Sequence, residues 1–334
     1  MLTFGIVIVL TPVMRNIAIS KKILDLPVSN HKSHKIAVPY LGGIAILIGV
    51  VIVCYSTLIF SNQPVSSFIL ATSVLAPAVL MGFVGLWDDR KNLPPFPRFI
   101  SQSITGIVVA VILIMNDGVA NPTNSSFIDF LITVFWVVAI CNSINFFDNL
   151  DGGAAGTTAI SSLFLALIAI KSGQTFVAAL AIVIVGATLG FLVWNRFPAH
   201  IYMGDAGALF LGVLIATLTI RLKPTTNSTI GSFATPFLIL AIPILDTSVA
   251  VLSRLKRRVS PFRGGTDHLS HRLIRNGLQK STTAQILWML SALFGIFAFV
   301  LNLQLIEFEI ALVIATLVFW ISLFVYFFNI SIND

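Results

Sequence analysis

Stretches of about 20 apolar residues, separated by short polar segments, recur along the whole chain. A helix of that length is about 30 Å long, which matches the hydrocarbon thickness of a bilayer. Backbone groups inside a bilayer must be hydrogen-bonded within the protein, so such stretches fold as helices. We predict eleven spans, over residues 2–20, 41–60, 67–87, 98–115, 128–147, 155–171, 174–194, 204–221, 233–252, 284–303 and 307–328. The predicted fold is therefore an all-α, polytopic membrane protein with a single domain over residues 1–334.

The composition excludes a soluble globular domain. Of the 334 residues, 57% are hydrophobic and 10% are charged, whereas soluble domains contain about 25% charged residues. The net charge of +7 would suggest a nucleic-acid partner in a soluble protein. Here the basic residues flank the spans, so they are better explained by membrane lipid headgroups and by orientation. No nucleic-acid partner is predicted.

The basic residues also predict the orientation. The predicted loops and their edges contain 16 Lys and Arg on one side of the membrane and three on the other. Cytoplasmic loops are enriched in basic residues, so the first side is predicted to be cytoplasmic. The N-terminus is then outside and the C-terminus inside. The cytoplasmic loops are predicted to be 21–40, 88–97, 148–154, 195–203 and 253–283.

Five aspartates are predicted to meet at this cytoplasmic boundary. They are Asp88, Asp89, Asp148, Asp151 and Asp205. A carboxylate at the edge of a bilayer is costly unless it binds a cation or a substrate. A single Asp there would more often cap a helix or pair with a neighbour such as Arg90, but five on one face favour a cation site. Oxygen ligands without cysteine favour Mg²⁺, with Mn²⁺ as the alternative.

Two of these loops contain groups suited to a nucleotide. Asn145, Asp148 and Asp151 are spaced three residues apart and are followed by Gly152-Gly153, where backbone N–H groups can approach phosphate oxygens. Tyr202 lies three residues before Asp205. Its ring is equally suited to stack on a flat base or to anchor the chain at the membrane interface.

The other two loops are basic and contain the histidines. The first contains Lys32 and His34, and the last contains Arg263, His268, His271 and Arg272. Two histidines three residues apart are compatible with a metal pair, but no nearby Cys or Glu completes a zinc site. Arg and His are well suited to a diphosphate, so contact with phosphate or sugar is favoured.

Together these motifs resemble the polyprenyl-phosphate N-acetylhexosamine-1-phosphate transferases of glycosyltransferase family 4. The matching segments follow the family's order over nearly the whole chain. They are 25–27 with Lys32 and His34, 39–43, 88–90 with Arg98 and Gln102, 145–153, 195–207, Pro243 with Asp246, and 267–273. The resemblance implies Mg²⁺-dependent transfer of a sugar-1-phosphate from a UDP-sugar to polyprenyl (undecaprenyl) phosphate, with release of UMP, as the first membrane step of cell-envelope glycan assembly. A homodimer is a further expectation.

The resemblance also implies roles for individual residues. The expected metal ligands are Asp205 and Asp88. The expected catalytic residues are Asp88, Asp89, Asp148, Asp151, His268 and His271. The expected substrate-binding residues are Lys32, His34, Asn145, Asn195, Tyr202 (at the position that stacks on uracil), Arg263 and Arg272.

Three positions depart from the family's pattern. Asn149 replaces a frequent glycine, Ser270 replaces a histidine beside His271, and Asn92 replaces the lysine of the muramoyl-pentapeptide branch. These departures favour the branch that uses simple UDP-N-acetyl sugars. The alternative class is an ion-coupled secondary transporter, which would place its acids near the bilayer midplane and in repeated halves. The acids here gather at one boundary and no repeat is evident, so the enzyme is favoured.

Overall fold

The computed structural model of the chain describes residues 1–25, 37–120, 123, 125–261, 265–304 and 309–330. Almost all the regular structure in these residues is helical. The helices are α1 (Leu2–Ser20), α2 (Gly42–Phe60), α3 (Val65–Lys91), α4 (Pro95–Met115), α5 (Ser126–Phe147), α6 (Gly153–Lys171), α7 (Thr175–Asn195), α8 (Gly204–Arg221), α9 (Thr229–Ile239), α10 (Ala241–Lys256), α11 (Leu269–Arg275), α12 (Lys280–Leu301) and α13 (Glu309–Asn329). Strands β1 (Leu24–Asp25) and β2 (Val38–Pro39) form one antiparallel pair.

Ten of the described helices are long and apolar enough to cross a membrane, and the bent pair α9–α10 provides an eleventh span. The prediction of an all-α, polytopic membrane protein is therefore confirmed. The predicted spans match helices in the structure, except that the ninth is bent by 75° between α9 and α10.

The bend follows from Pro243, in the first turn of α10. Proline has no N–H to donate and its ring clashes with the carbonyl four residues earlier, which is that of Ile239. That freed carbonyl accepts a hydrogen bond from Ser161 Oγ of α6 at 2.7 Å. Packing against α6 thus supplies the partner that the broken helix lacks, as a bilayer requires.

Helix α8 lies at the centre of the bundle and packs against α2, α3 and α5. Its span is 78% buried, against 11% for α13, which faces outward. Glycines bring the neighbouring backbones close to the first turn of α8. The N–H groups of Gly42 and Gly43 donate to the carbonyls of Tyr202 and Met203 at 3.0 and 2.8 Å. The backbone around Asp205 is therefore held from the α2 side.

Gly85 brings α3 equally close to the same turn. A Cβ at Gly85 would lie 2.3 Å from the carbonyl oxygen of Asp205 and 2.6 Å from the nitrogen of Ala206. These are backbone atoms, so the helices themselves would have to separate. Gly85→Ala is expected to lower the free energy of unfolding by about 1–3 kcal/mol, measured by thermal or denaturant unfolding in detergent.

The matched control for this substitution is Gly5→Ala in α1. No described atom lies within 4 Å of a Cβ at Gly5, so this variant should unfold at the wild-type temperature. Equal stability of the two variants would contradict the close contact between α3 and α8.

Candidate active site

A cavity of about 500 Å³ lies where the C-terminal end of α3 and the loops after α5 and α7 meet the beginning of α8. Among the described residues, its charged lining consists of one guanidinium, that of Arg98, and six carboxylates. These belong to Asp25, Asp88, Asp89, Asp148, Asp151 and Asp205, and His271 also lines the cavity. The five aspartates singled out in the sequence therefore do lie around one space.

The end of α3 places its acids at this cavity. Asn92 adopts a left-handed conformation with φ 47°, and Pro94 and Pro95 lead into α4. A left-handed residue followed by proline terminates a helix. The chain thus reverses directly after Asp88 and Asp89, which brings Arg98 of α4 back towards them.

Arg98 joins Asp88 and Asp205, which are far apart in the sequence. Its Nη1 donates to Asp88 Oδ2 at 2.9 Å and to Asp205 Oδ2 at 3.2 Å. The other oxygen of Asp205 accepts from Asn145 Nδ2 at 2.6 Å, and that of Asp88 accepts from the N–H of Leu93 at 2.8 Å. Both carboxylates are therefore fixed in orientation, with their Oδ2 atoms directed towards the same guanidinium.

Asp89 is hydrogen-bonded to the backbone of α8. Its two oxygens accept from the N–H groups of Asp205 and Ala206 at 2.9 and 3.1 Å. A carboxylate at a helix N-terminus satisfies free donors and interacts favourably with the helix dipole. Gly204, with φ 72°, allows this approach, because a Cβ there would lie 2.7 Å from Asp89 Oδ2. Asp89 thus fixes the backbone at Asp205.

The loop after α5 is held against the loop after α7. Asn195 Oδ1 accepts from the N–H of Gly152 at 3.0 Å, and its Nδ2 donates to the carbonyl of Ile201 at 3.0 Å. Asp151 Oδ2 accepts from the N–H of Ala199 at 3.1 Å. Asn195 and Asp151 therefore link two loops that each contribute side chains to the cavity.

Asp148 lies among the other carboxylates of this lining. Burial raises the pKa of Asp148 well above its ordinary value, and three neighbouring carboxylates, led by that of Asp205, raise it further. The charges around Asp148 thus favour the binding of a cation or a proton.

Of the four basic and histidine residues predicted in the last loop, His271 is the one that lines the cavity among the described residues. His268 is 5% exposed and does not line the cavity. Its Nδ1 lies 2.7 Å from Asp246 Oδ2, and its Nε2 lies 3.2 Å from Arg254 Nη2. The two histidines that the sequence grouped together therefore differ in exposure to the cavity, because His271 lines it and His268 is buried in a charged network behind it.

Arg272 is fully buried and is also outside the cavity lining. Its Nε donates to the carbonyl of Asp267 at 2.8 Å, and its Nη1 donates to those of Phe327 and Ile330 at 2.8 and 2.7 Å. Its Nη2 donates to Ser253 Oγ at 2.5 Å. Nη1 and Nη2 thus hold α11 against the end of α13 and against α10, and Nε fixes the segment that leads into α11.

The remaining predicted residues divide into two groups. Asn145 and Tyr202 lie at the site, the first through its bond to Asp205 and the second in the lining. Lys32, His34 and Arg263 lie outside the described residues. The structure adds Arg98, together with lining residues that had no predicted role: Asp25, Tyr40, Asn92, Leu93, Asn149, Leu150, Gly204 and Gly265. Arg98 and Asp25 lie within the segments that match the family, and this match is the sequence feature that could have identified them as site residues.

The donor set fits a hard cation that takes few protein ligands. Among the described residues, no three His, Cys, Asp or Glu side chains are grouped closely enough to form a complete metal site. Mg²⁺ is commonly held by one or two carboxylates, with substrate phosphates and water completing its shell. Asp88 and Asp205 are such a pair, and the excess of carboxylates over basic groups in the lining favours a cation before any phosphate enters.

Comparison with known proteins agrees with this geometry. Residues 71–223 match the model of glycosyl transferase family 4. The chain is 31% identical over 326 residues to the probable undecaprenyl-phosphate N-acetylglucosaminyl 1-phosphate transferase of Bacillus subtilis, covering 96% of this chain and 85% of that protein.

Two further relatives represent two kinds of substrate. The decaprenyl-phosphate N-acetylglucosaminephosphotransferase of Mycolicibacterium smegmatis is 31% identical over 269 residues, covering 72% of this chain and 66% of the relative. The phospho-N-acetylmuramoyl-pentapeptide-transferase of Staphylococcus saprophyticus is 27% identical over 321 residues, covering 89% and 94%. Similarity of this extent favours the enzyme over the transporter. The chain belongs to glycosyl transferase family 4, and within it to the membrane enzymes that transfer a sugar-1-phosphate to a polyprenyl phosphate.

Proposed function

We propose that this enzyme transfers N-acetylhexosamine-1-phosphate from a UDP-sugar to undecaprenyl phosphate and releases UMP, with Mg²⁺ and on the cytoplasmic side of the membrane. The observation that carries the proposal is the cavity itself, where carboxylates from the end of α3, the loop after α5 and the first turn of α8 surround a space beside Arg98 and Tyr202. Asn92 and the two relatives that act with N-acetylglucosamine support a simple N-acetylated sugar.

The reaction is a displacement at phosphorus. An oxygen of the lipid phosphate forms a bond to the sugar-linked phosphorus, the bond from that phosphorus to the UMP oxygen breaks, and UMP leaves with that oxygen. Positioning and charge neutralisation supply most of the catalysis in such transfers. A cation held by Asp205 and Asp88 would neutralise the negative charge on the diphosphate of the UDP-sugar.

The chain's own residues orient the reactants. Arg98 lies within 3.2 Å of both Asp88 and Asp205, so its guanidinium is in place to bind a phosphate oxygen beside these carboxylates. Asn145 holds the second oxygen of Asp205, and Asp89 holds the N-terminus of α8. These contacts exist without substrate, so little reorganisation is required when it binds.

Tyr202 is assigned to the uracil ring. It lines the cavity, and its N–H donates to the carbonyl of Pro39 at 2.9 Å, which fixes the backbone at this position. Stacking of a base on an aromatic ring is worth about 1–3 kcal/mol. Tyr202→Ala is therefore expected to raise KM for the UDP-sugar by about fivefold to a hundredfold, whereas Tyr202→Phe keeps KM near the wild-type value. A residue that only anchors the membrane interface would leave KM unchanged in both variants.

One assay tests both the reaction and its side of the membrane. Sealed vesicles containing the enzyme and undecaprenyl phosphate are given Mg²⁺ and a panel of UDP-sugars, which do not cross a sealed bilayer. Inside-out vesicles are expected to form UMP from a UDP-N-acetylhexosamine without detergent, and right-side-out vesicles only after permeabilisation. The absence of UMP with every UDP-sugar would contradict the proposed reaction, and the opposite dependence on vesicle orientation would contradict the proposed side.

A further inference from the structure

Asn149 and Ser270 join the two loops on either side of His271. Asn149 lies in the loop after α5 and lines the cavity, and Ser270 lies in the first turn of α11 and is 3% exposed. Ser270 Oγ is hydrogen-bonded to Asn149 Oδ1. Asn149 Nδ2 donates to the carbonyl of Phe146 at 2.6 Å. The same hydroxyl also contacts His271, whose Nδ1 lies 3.4 Å from Ser270 Oγ.

The donor and acceptor of each hydrogen bond in this series follow from the first bond, the one between Asn149 and Phe146. The carbonyl of Phe146 can only accept, so the amide nitrogen of Asn149 must face it and Oδ1 must face Ser270. Oδ1 can also only accept, so it takes the single hydroxyl proton of Ser270. Ser270 Oγ is then left as an acceptor towards Nδ1 of His271. The proton of the neutral imidazole therefore resides on Nδ1, and Nε2 has a free lone pair.

The surroundings of His271 keep its ring neutral. Burial, together with the neighbouring His268, lowers the pKa of His271 to about 4. The centroids of the two rings are 6.0 Å apart. The other charged groups that act on the ring are Asp246, Arg275 and Asp267. A neutral ring with an unprotonated Nε2 accepts a hydrogen bond and offers no positive charge to a phosphate.

We propose that Ser270 and Asn149 are positioning residues that hold His271 in its Nδ1–H form, so that Nε2 accepts a hydrogen bond from a hydroxyl or acetamido N–H group of the donor sugar. The identity of the donor rests on the proposed function; the form of the ring does not. His271 thus recognises the sugar, and the diphosphate is left to Arg98 and the cation.

The first test reads the ring directly. Selective ¹⁵N labelling of the five histidines allows NMR in detergent to report which nitrogen is protonated, with His271→Gln identifying the signal. The wild type is expected to show Nδ1 protonated and Nε2 bare at neutral pH. Ser270→Ala should move the signals towards the Nε2–H form, and Ser270→Thr, which keeps a hydroxyl, should restore the wild-type pattern. An Nε2–H ring in the wild type, or identical spectra for Ser270→Ala, would overturn the proposal.

The second test separates sugar recognition from nucleotide recognition. Loss of one hydrogen bond corresponds to about threefold to tenfold in affinity. Ser270→Ala is therefore expected to raise KM for UDP-N-acetylglucosamine by that factor while leaving inhibition by UDP, which has no sugar, unchanged. Equal weakening of both ligands, or of neither, would overturn the assignment to the sugar. If the wild type turned over no UDP-sugar, the assignment of a UDP-sugar as the donor would be wrong. The NMR result would still decide which nitrogen of His271 is protonated.

Ser172→Ala is the matched control for both tests. Ser172 ends α6 at the opposite end from the cavity, and its hydroxyl bonds the carbonyl of Ile168 at 2.8 Å within its own helix. This variant should reproduce the wild-type NMR signals and the wild-type KM.

Discussion

Asp205→Asn is expected to lower kcat by about a thousandfold while the protein remains folded. The substitution keeps the size of the side chain and one oxygen for Asn145 Nδ2, but it removes the negative charge that faces Asp88 and Arg98. Preorganised charge at a phosphoryl-transfer site is worth about two to three orders of magnitude for a single group, and a catalytic cation is worth several kcal/mol. The measurements are UMP formation for kcat and thermal unfolding in detergent for folding.

The matched control is Asp117→Asn. Asp117 is exposed in the turn after α4, at the opposite end of that helix from Arg98. Its φ of 48° is one that asparagine tolerates. This variant should keep wild-type kcat and stability. Turnover of the Asp205→Asn variant within tenfold of the wild type would show that the carboxylate is not the cation ligand.

Arg272→Met is expected to lower the free energy of unfolding by about 3 kcal/mol. The substitution removes the donor to the carbonyls of Asp267, Phe327 and Ile330 and to the hydroxyl of Ser253. The carbonyl of Phe327 keeps the N–H of Ile330 at 3.2 Å and Ile330 is partly exposed, so the main losses are at Asp267 and Ser253, which are buried. An unsatisfied buried acceptor costs about 1–3 kcal/mol, part of which relaxation recovers. Methionine fills a similar volume, so the loss reports the hydrogen bonds more than the packing. Denaturant unfolding in detergent measures this difference.

Arg275→Met, on the same helix, is the control. Its guanidinium is exposed and bonds Thr266 Oγ1, so its removal should change stability by less than about 1 kcal/mol. If Arg272 binds substrate, as the sequence predicted, the outcome is reversed. The Met variant would then unfold like the wild type and show a raised KM for the UDP-sugar.

The arrangement of spans could be predicted because the bilayer leaves few options. An apolar stretch of about 20 residues must form a helix there, so hydropathy alone located the helices. The bend between α9 and α10 could not be predicted in the same way. Proline at 243 indicates that a kink is tolerated, but its stability depends on Ser161, 78 residues from Ile239 in the sequence. No local pattern specifies that contact.

The site could be predicted by residue type and general location, and less well by contact. Alternation of the spans placed five aspartates at one boundary, and they do surround one cavity. The sequence could not show that Asp89 bonds the backbone of α8, because a carboxylate that caps a helix and one that faces a ligand look alike in sequence. Arg272 illustrates the same limit, since its partners at the end of α13 are more than 50 residues away.

Binding of Mn²⁺, used in place of Mg²⁺ and followed by electron paramagnetic resonance on the purified enzyme with UDP, tests the central claim most directly. The wild type and Asp117→Asn are expected to bind one Mn²⁺ per chain at the cavity, and Asp205→Asn is expected to lose that site. Equal binding by Asp205→Asn and Asp117→Asn, or no bound Mn²⁺ in the wild type, would contradict a cation held between Asp88 and Asp205.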